Sequence, residues 1–356
     1  MVRTFLFCLA FLSAGFLAAQ SVSGRVTDAL TGEPVWGVSV YFDGSTTGTL
    51  TNEAGEFALQ PKFRTLSTLV FSHIGYQTRK ITDPYAVDFL EITLEEDVQQ
   101  LSEVVLPSDP FSRRQKLQAF REEFLGDGRA GRQCEILNED AVRLFFNTTD
   151  STLNATASEP LQIRNPYLGY SIRFDLQEFR VAFRSRSLVR TDNIKTTEFR
   201  GSSRFTDISG GDAKIAKRRA DAYQGSPMHF MRSLYRGRLF EESFLLRDDG
   251  GTLTSRDLAG VSQPDANRQV TAAFRPDRFT VYYRDDFFRR SSIRVTDPKI
   301  LRIDAFGTFA PYSVLIFDGE MALHRMGLML PTDYGILDVD PRGMLSEAAN
   351  LTRAEP

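Results

Sequence analysis

The sequence predicts a mainly β protein in two parts: a small Greek-key β-sandwich, then a β-rich body with a helical insertion. Between Val22 and Ile81, short apolar–polar segments alternate with turn clusters rich in Gly, Pro, Asn and Asp, the pattern of a sandwich. Strict alternation resumes after residue 135, as expected for sheets with one solvated face. The chain also holds 29 Phe and 11 Tyr against 1 Trp, and such rings fit pleated, half-buried surfaces.

The first strands are expected at 22–28, 38–42, 47–51, 55–60, 66–73 and 76–81. Thr31-Gly32-Glu33-Pro34, Asp43-Gly44-Ser45 and Asn52-Glu53-Ala54-Gly55 are turns between them, and 89–94 adds a last strand. In order and wording this stretch resembles the carboxypeptidase-regulatory-like domain, a transthyretin-type sandwich found at the N-terminus of many Bacteroidetes outer-membrane proteins. The resemblance rests on G-R-V-T-D near the start, T-N-E-A-G-E-F, and F-S-H-I-G-Y-Q-T. The exit, L-E-E-D-V-Q-Q-L-S-E-V-V-L, is similar to that of the same domain in SusC-type TonB-dependent receptors. In those a plug and a large barrel follow, and the largest barrels use about 22 strands. The rest of this chain is too short for both, so no plug or barrel is expected.

The 356 residues suffice for two cored domains, and 42% hydrophobic with 25% charged residues is ordinary for a folded chain. A net charge of −3 gives no general attraction to nucleic acid. Arg3, the apolar run from Phe5 to Phe16 and Leu17-Ala18-Ala19 read as a signal peptide over 1–19, cut before Gln20, so the protein is expected to be exported to the periplasm or outer membrane. No later segment is long and apolar enough to cross a bilayer as a helix. Only Cys134 remains after that cut, so no intramolecular disulfide is expected, and beside Ile136 and Leu137 it reads as a small buried hydrophobe.

The sandwich is assigned to 20–106 and a linker to 107–110, Pro107-Ser108-Asp109-Pro110. The body spans 111–345, with a loose tail over 346–356. A helix is expected over 111–125, stopped by Gly126 and Gly128. Strands follow at 161–164, 170–177 and 179–183. A second helix starts near Asp212, and a third opens at Ser226-Pro227, an N-cap followed by a first-turn proline, and stops at Gly237. Strands at 279–283 and 314–317 belong to the remainder. The segment R-R-A-D-A-Y-Q-G-S-P-M-H-F-M-R-S-L-Y, together with the later L-P-T-D-Y, is similar to a body domain that accompanies the regulatory-like sandwich in uncharacterised Bacteroidetes envelope proteins. That resemblance implies a location and an architecture, and no activity.

Catalytic patterns are missing. Zinc peptidases need paired His and Glu at short spacing, and His73, His229 and His324 each lack a His or Glu three or four residues on. No G-x-S-x-G elbow occurs. Gly126-Asp127-Gly128-Arg129-Ala130-Gly131 matches a dinucleotide fingerprint in letters, yet follows a helix rather than a strand. Asp248-Asp249 and Asp285-Asp286 read as hairpin turns. No enzyme, metal or cofactor is therefore expected.

The candidate contacts are non-catalytic. Trp36, Tyr41, Phe42 and Tyr76 contain the rings of a possible sugar platform, although consecutive strand residues such as Tyr41 and Phe42 point to opposite faces. Trp36 and Tyr76 are the outward candidates. Lys214, Lys217, Arg218, Arg219, Arg232, Arg236 and Arg238 form one dense basic zone. If two helices bring them to one face, Arg218, Arg219 and Arg232 would suit an anionic partner such as lipopolysaccharide phosphate or an acidic glycan; the plainer reading is solvated charge. His229 is either a ligand contact at a helix N-terminus or a histidine packed beside Phe230. The expectation is a non-enzymatic envelope protein whose sandwich is an interaction module, with an envelope protein or a glycan as partner; a carbohydrate-binding protein is the alternative, and a hydrolase of unknown type the remote one.

Overall fold

The computed structural model describes residues 21–61, 64–97, 109–189, 193–284, 286, 290–339 and 345–347. The expected signal peptide, Pro107 and Ser108 of the linker, and residues 348–356 of the tail lie outside the described residues.

Seven strands build the sandwich: β1 (Val22–Asp28), β2 (Ser39–Phe42), β3 (Gly48–Leu50), β4 (Glu56–Leu59), β5 (Leu69–Ser72), β6 (Arg79–Ile81) and β7 (Leu90–Leu94). One sheet runs β4-β1-β7 and the other β3-β2-β5-β6. β1 alternates buried Val22 and Val26 with outward Ser23 and Arg25, and its partner β7 runs parallel to it. Gly24 is required there, because a Cβ would lie 2.2 Å from the Leu90 carbonyl oxygen. Val26, Val38, Val40, Phe42, Phe57, Leu69, Phe71 and Ile92 fill the space between the sheets.

The body begins inside the expected linker. The Asp109 carboxylate accepts from Lys116 Nζ at 2.5 Å and from the Phe111 and Phe146 amides, so the second half of 107–110 is fixed to the body. These contacts, Lys116 foremost, hold its pKa below the usual carboxylate range against the opposing effect of burial. Then come α1 (Arg113–Phe124), α2 (Arg129–Gln133), β8 (Glu135–Ile136), β9 (Val142–Asn147), β10 (Thr152–Ala157), β11 (Leu161–Asn165), β12 (Tyr170–Phe183) and β13 (Ile194–Asp207). Ser112 caps α1 through a capping box with Gln115. The sheet runs β8-β11-β12-β10-β9, with β13 also on β12, and α1 buries Phe120 and Phe124 against it.

Strands expected separately at 170–177 and 179–183 are one strand, β12. Tyr170, Ile172, Phe174 and Leu176 point inward, and then Phe179, Val181 and Phe183 do, so the phase of alternation changes by one. The register against β13 shifts between Leu176 and Glu178. A β-bulge at Gln177 absorbs the extra residue and restores the inward face.

A corner of two helices follows: α3 (Ala213–Tyr223), capped by Asp212, and α4 (Pro227–Tyr235), capped by Ser226 with proline in its first turn. The rest contains β14 (Phe244–Asp248), β15 (Gly251–Leu253), α5 (Ser255–Leu258), β16 (Ala259–Val261), β17 (Val270–Phe274), β18 (Arg278–Tyr283), β19 (Arg290–Val295), β20 (Ile300–Ile303), β21 (Phe309–Ala310) and β22 (Leu315–Gly319). Two sheets, β15-β14-β18-β19-β22 and β16-β17-β20-β21, share a second core with Phe230, Met231 and Leu234 of α4. The body thus has two cores rather than one. β23 (Ile336–Val339) pairs with β24 (Leu345–Glu347), which enters the segment read as a loose tail.

The dinucleotide-like glycines have a packing reason. A Cβ on Gly131 would lie 2.0 Å from the Gly126 carbonyl oxygen, and one on Gly327 would lie 2.6 Å from the Gly131 nitrogen. They let α2 and the 326–328 turn touch backbone to backbone, with the Gly327 amide donating to the Leu125 carbonyl. Cys134 is half-buried on the first body core, and burial pushes its thiol up to about 12, so it is chemically quiet.

Candidate functional site: a helix-corner cleft and the sandwich junction

The two sequence signatures of the body meet in space. Arg232 of α4, 1% exposed, donates to the carbonyls of Phe306, Thr332 and Tyr334 at 2.8–3.0 Å. Its guanidinium also lies 5.3 Å from the Tyr223 ring centroid. Arg232 therefore fixes the Leu330-Pro331-Thr332-Asp333-Tyr334 segment, and that segment holds the sandwich. The Thr332 amide donates to Gly44 O at 2.7 Å, while the Asp333 carboxylate accepts from the Thr46 amide and hydroxyl and from the Thr47 hydroxyl.

The turn Asp43-Gly44-Ser45 is more than a connector. Gly44, at φ +74°, donates to the Ser203 carbonyl, and the Phe205 amide donates to Ser45 O. Asp43 Oδ1 accepts from the Ser203 amide at 2.8 Å. The turn thereby adds to β13 as a short parallel bridge. Burial raises the Asp43 carboxyl, partly offset by the Ser203 bond. A second anchor is Asp304, fully buried, whose Oδ2 accepts from Thr65 Oγ1 and the Leu66 amide of the sandwich. Its Oδ1 accepts from the Phe306 and Thr308 amides, and burial pushes its pKa up to about 6 despite these four bonds.

Of Tyr41 and Phe42, Phe42 enters the sandwich core and Tyr41 points the other way. The body covers that face, leaving Tyr41 wholly buried in the field of Arg173, Arg204 and Asp175. These rings therefore form no external platform. Trp36 is 68% exposed. Tyr76 is half-buried, edge-on to the His73 ring at 5.5 Å and close to the Asp28 carboxylate.

The basic zone does not form a single face. Lys214, Lys217 and Arg238 are exposed, but Arg219 and Arg232 are turned inward and are unavailable to an external anion. Arg219 donates to the Leu168 and Gly169 carbonyls, grips Asp207 with two nitrogens at 2.7 and 3.0 Å, and stacks 3.9 Å from the Tyr170 ring centroid. Its hydrogen bonds hold Asp207 far below the usual carboxylate range. Arg218 is half-buried over the Tyr167 ring at 4.8 Å. His229 is 4% exposed among Tyr223, Phe244 and Tyr283. Its Nδ1 accepts from the Gly225 amide at 3.1 Å, which leaves the ring proton on Nε2 facing Glu242 at 3.2 Å.

The sequence reading missed a cleft at the helix corner. A hollow of about 240 Å³ opens where the end of α3 faces β18, β19 and the 320–324 turn. It adjoins a second of about 330 Å³ across Asp221, Gln224 and Tyr283. Arg218 and His324 line it, but no spacing rule joins residues 218–224 to 320–324; only the fold does. Among the described residues no three His, Cys, Asp or Glu side chains gather to hold a metal.

With that geometry in place, residues 22–106 are a CarboxypepD_reg-like domain. The N-terminal region is 41% identical over 97 residues to the TonB-dependent receptor SusC of Bacteroides thetaiotaomicron, which is 27% of this chain and 9% of that receptor. The match thus spans a small fraction of the receptor, and no plug or barrel is present among the described residues. Among solved structures, a cohesin–X-dockerin complex of Acetivibrio cellulolyticus aligns at 23% identity over 20% of this chain and 51% of that one, with a TM-score of 0.18. A Bacteroides uniformis protein provisionally described as carbohydrate binding aligns at 9% identity over 84% and 98%, with a TM-score of 0.17. Scores this low carry no argument about shape or ligand. No helix among the described residues is long and apolar enough to cross a membrane, which does not bear on β-barrels.

Proposed function

We propose that this is an exported, non-enzymatic protein of the cell envelope whose sandwich serves as an interaction module. One observation carries the reading: the two sheets of the sandwich are used differently. The β2 and β5 face is spent inside the molecule, on β12, β13 and the 332–333 segment. The β4-β1-β7 sheet keeps its outward side chains, Arg25, Glu56, Ala58, Glu91 and Thr93, in solvent. Its outer strands β4 and β7 are edges among the described residues, and sheet edges accept a further strand. The relationship to the receptor's N-terminal region supports an envelope setting.

Fractionation of cells producing the tagged protein tests this reading. The expected result is a mature N-terminus at Gln20 and recovery with the envelope. Glu91→Lys with Thr93→Lys, on the exposed side of β7, should release the protein without lowering its melting temperature. Cytosolic intact Met1, or unchanged retention of the folded variant, would sink the proposal. A second reading, glycan binding by the sandwich, has the exposed Trp36 ring in its favour.

A further inference from the structure

We infer that the helix-corner cleft is a binding site for a neutral carbohydrate, one or two sugar rings in size. The inference deepens the glycan reading but moves the contact from Trp36 to the body.

The lining is graded. Ala222, Val281 and Met321 are buried at its base, whereas Asp221, Gln224, Arg218 and Glu320 stand around them half-buried or exposed. A sugar ring has the matching division, with C–H faces that prefer apolar surface and hydroxyl edges that need donors and acceptors. Arg218 sits 4.8 Å from the Tyr167 ring centroid while one nitrogen donates to the Tyr167 carbonyl at 3.3 Å, so its fork of N–H groups is anchored at one end. Gln224 offers both a donor and an acceptor, and Asp221 and Glu320 add carboxylate acceptors. Few well-placed polar groups around an apolar base are the usual composition of a small-molecule site.

Charge selects among ligands. Both signs of charge line the two hollows, Asp221, Asp286 and Glu320 with Arg218 and Arg284, and His324 adds an imidazole. A cation or an anion would meet a like charge on one side, while a neutral polyhydroxyl ligand meets hydrogen-bonding groups on all sides. The second hollow, about 330 Å³, lies at the lower end of small-ligand sites, and the first, about 240 Å³, adjoins it. The cleft is also stiffly framed. Gly225, at φ +73°, closes the α3–α4 corner against Tyr283, and a Cβ there would lie 2.9 Å from that ring. The His229 bond to the Gly225 amide locks the same corner from behind.

Calorimetric titration of the full-length mature protein with maltose, cellobiose, lactose and chitobiose tests the inference. Binding of at least one is expected at millimolar concentration, with little change between low and high salt. Asp221→Asn with Gln224→Ala should weaken that binding by about tenfold or more, as lost hydrogen bonds of ~1 kcal/mol each imply. Asp221 is exposed and Gln224 half-buried at the helix end, and an unchanged melting temperature confirms the fold of the variant. Trp36→Ala should leave affinity intact. Three outcomes would overturn the cleft: no sugar binds, binding survives the cleft variant, or binding is lost only with Trp36→Ala. The last would keep the sandwich glycan reading and remove this one. Salt-sensitive binding of a dipeptide such as Gly-Gly, with no sugar bound, would equally overturn it.

Discussion

Replacing Arg219 by Met should cost the protein about 3–4 kcal/mol, although Arg219 belongs to a zone that reads as surface charge. The side chain is 9% exposed. Removing the guanidinium leaves the Leu168 carbonyl without its charged donor at 2.7 Å, a loss of about 1.5–3 kcal/mol. Gly169 O keeps the Ile208 amide and adds little. Stacking over Tyr170 contributes about 1 kcal/mol in a partly desolvated site. The Asp207 pair is discounted to ~0.5 kcal/mol, because the Asp207 side chain is 50% exposed and screened by water. Met conserves most of the stem's packing, so no large cavity term is added. Urea unfolding followed by tyrosine fluorescence measures the loss. Lys217→Gln, an exposed neighbour, should shift stability by less than about 0.5 kcal/mol. Arg219→Lys should recover less than half, since a single ammonium cannot span Leu168 O and both Asp207 oxygens. A loss below about 1 kcal/mol for Met, or full recovery with Lys, would refute the reasoning.

Asp304 predicts a pH slope. Its native pKa near 6 exceeds the unfolded value of about 3.9, so the native state binds more protons between those values and stability should fall as pH rises across them, by about 3 kcal/mol in all. Melting temperatures from pH 4 to 7 should show the decline (roughly the window set by those two values), and Asp304→Asn should flatten it; parallel profiles would contradict the assignment. Gly24→Ala should loosen the β1–β7 pair by about 1–3 kcal/mol, read by calorimetry, because its Cβ meets the Leu90 carbonyl; a neutral result would mean β7 yields freely. A chelator should leave the melting temperature unchanged, and one zinc per purified chain by atomic absorption would reopen a hydrolase reading.

Where local pattern decides structure, the sequence was readable. β1 falls at 22–28 as its alternation requires, and Asp212, Ser226 and Pro227 mark the helix starts by capping chemistry. β12 was legible in both halves yet not as one strand, because a bulge looks like a break when only period is counted. Tyr41 shows a deeper limit. Its outward direction follows from Phe42 facing in, but whether outward means water or another domain depends on contacts more than a hundred residues away. The same holds for Arg232, whose charge signals solvent while three backbone carbonyls claim it. The cleft was invisible for the same reason, since its two sides are distant in sequence.

The Thr332 and Asp333 contacts to Gly44 and Thr46 also set a timetable. The sandwich completes its core with Leu94, long before the residues that receive it have left the ribosome. Contacts separated by 287 positions close last and pay the largest loop-closure cost. Until β12 and β13 follow, the Tyr41 face and the Asp43 carboxylate stand open to water and to other chains. A chain stopped before β12 would therefore carry a finished first domain with no seat for it, a species prone to association through that face.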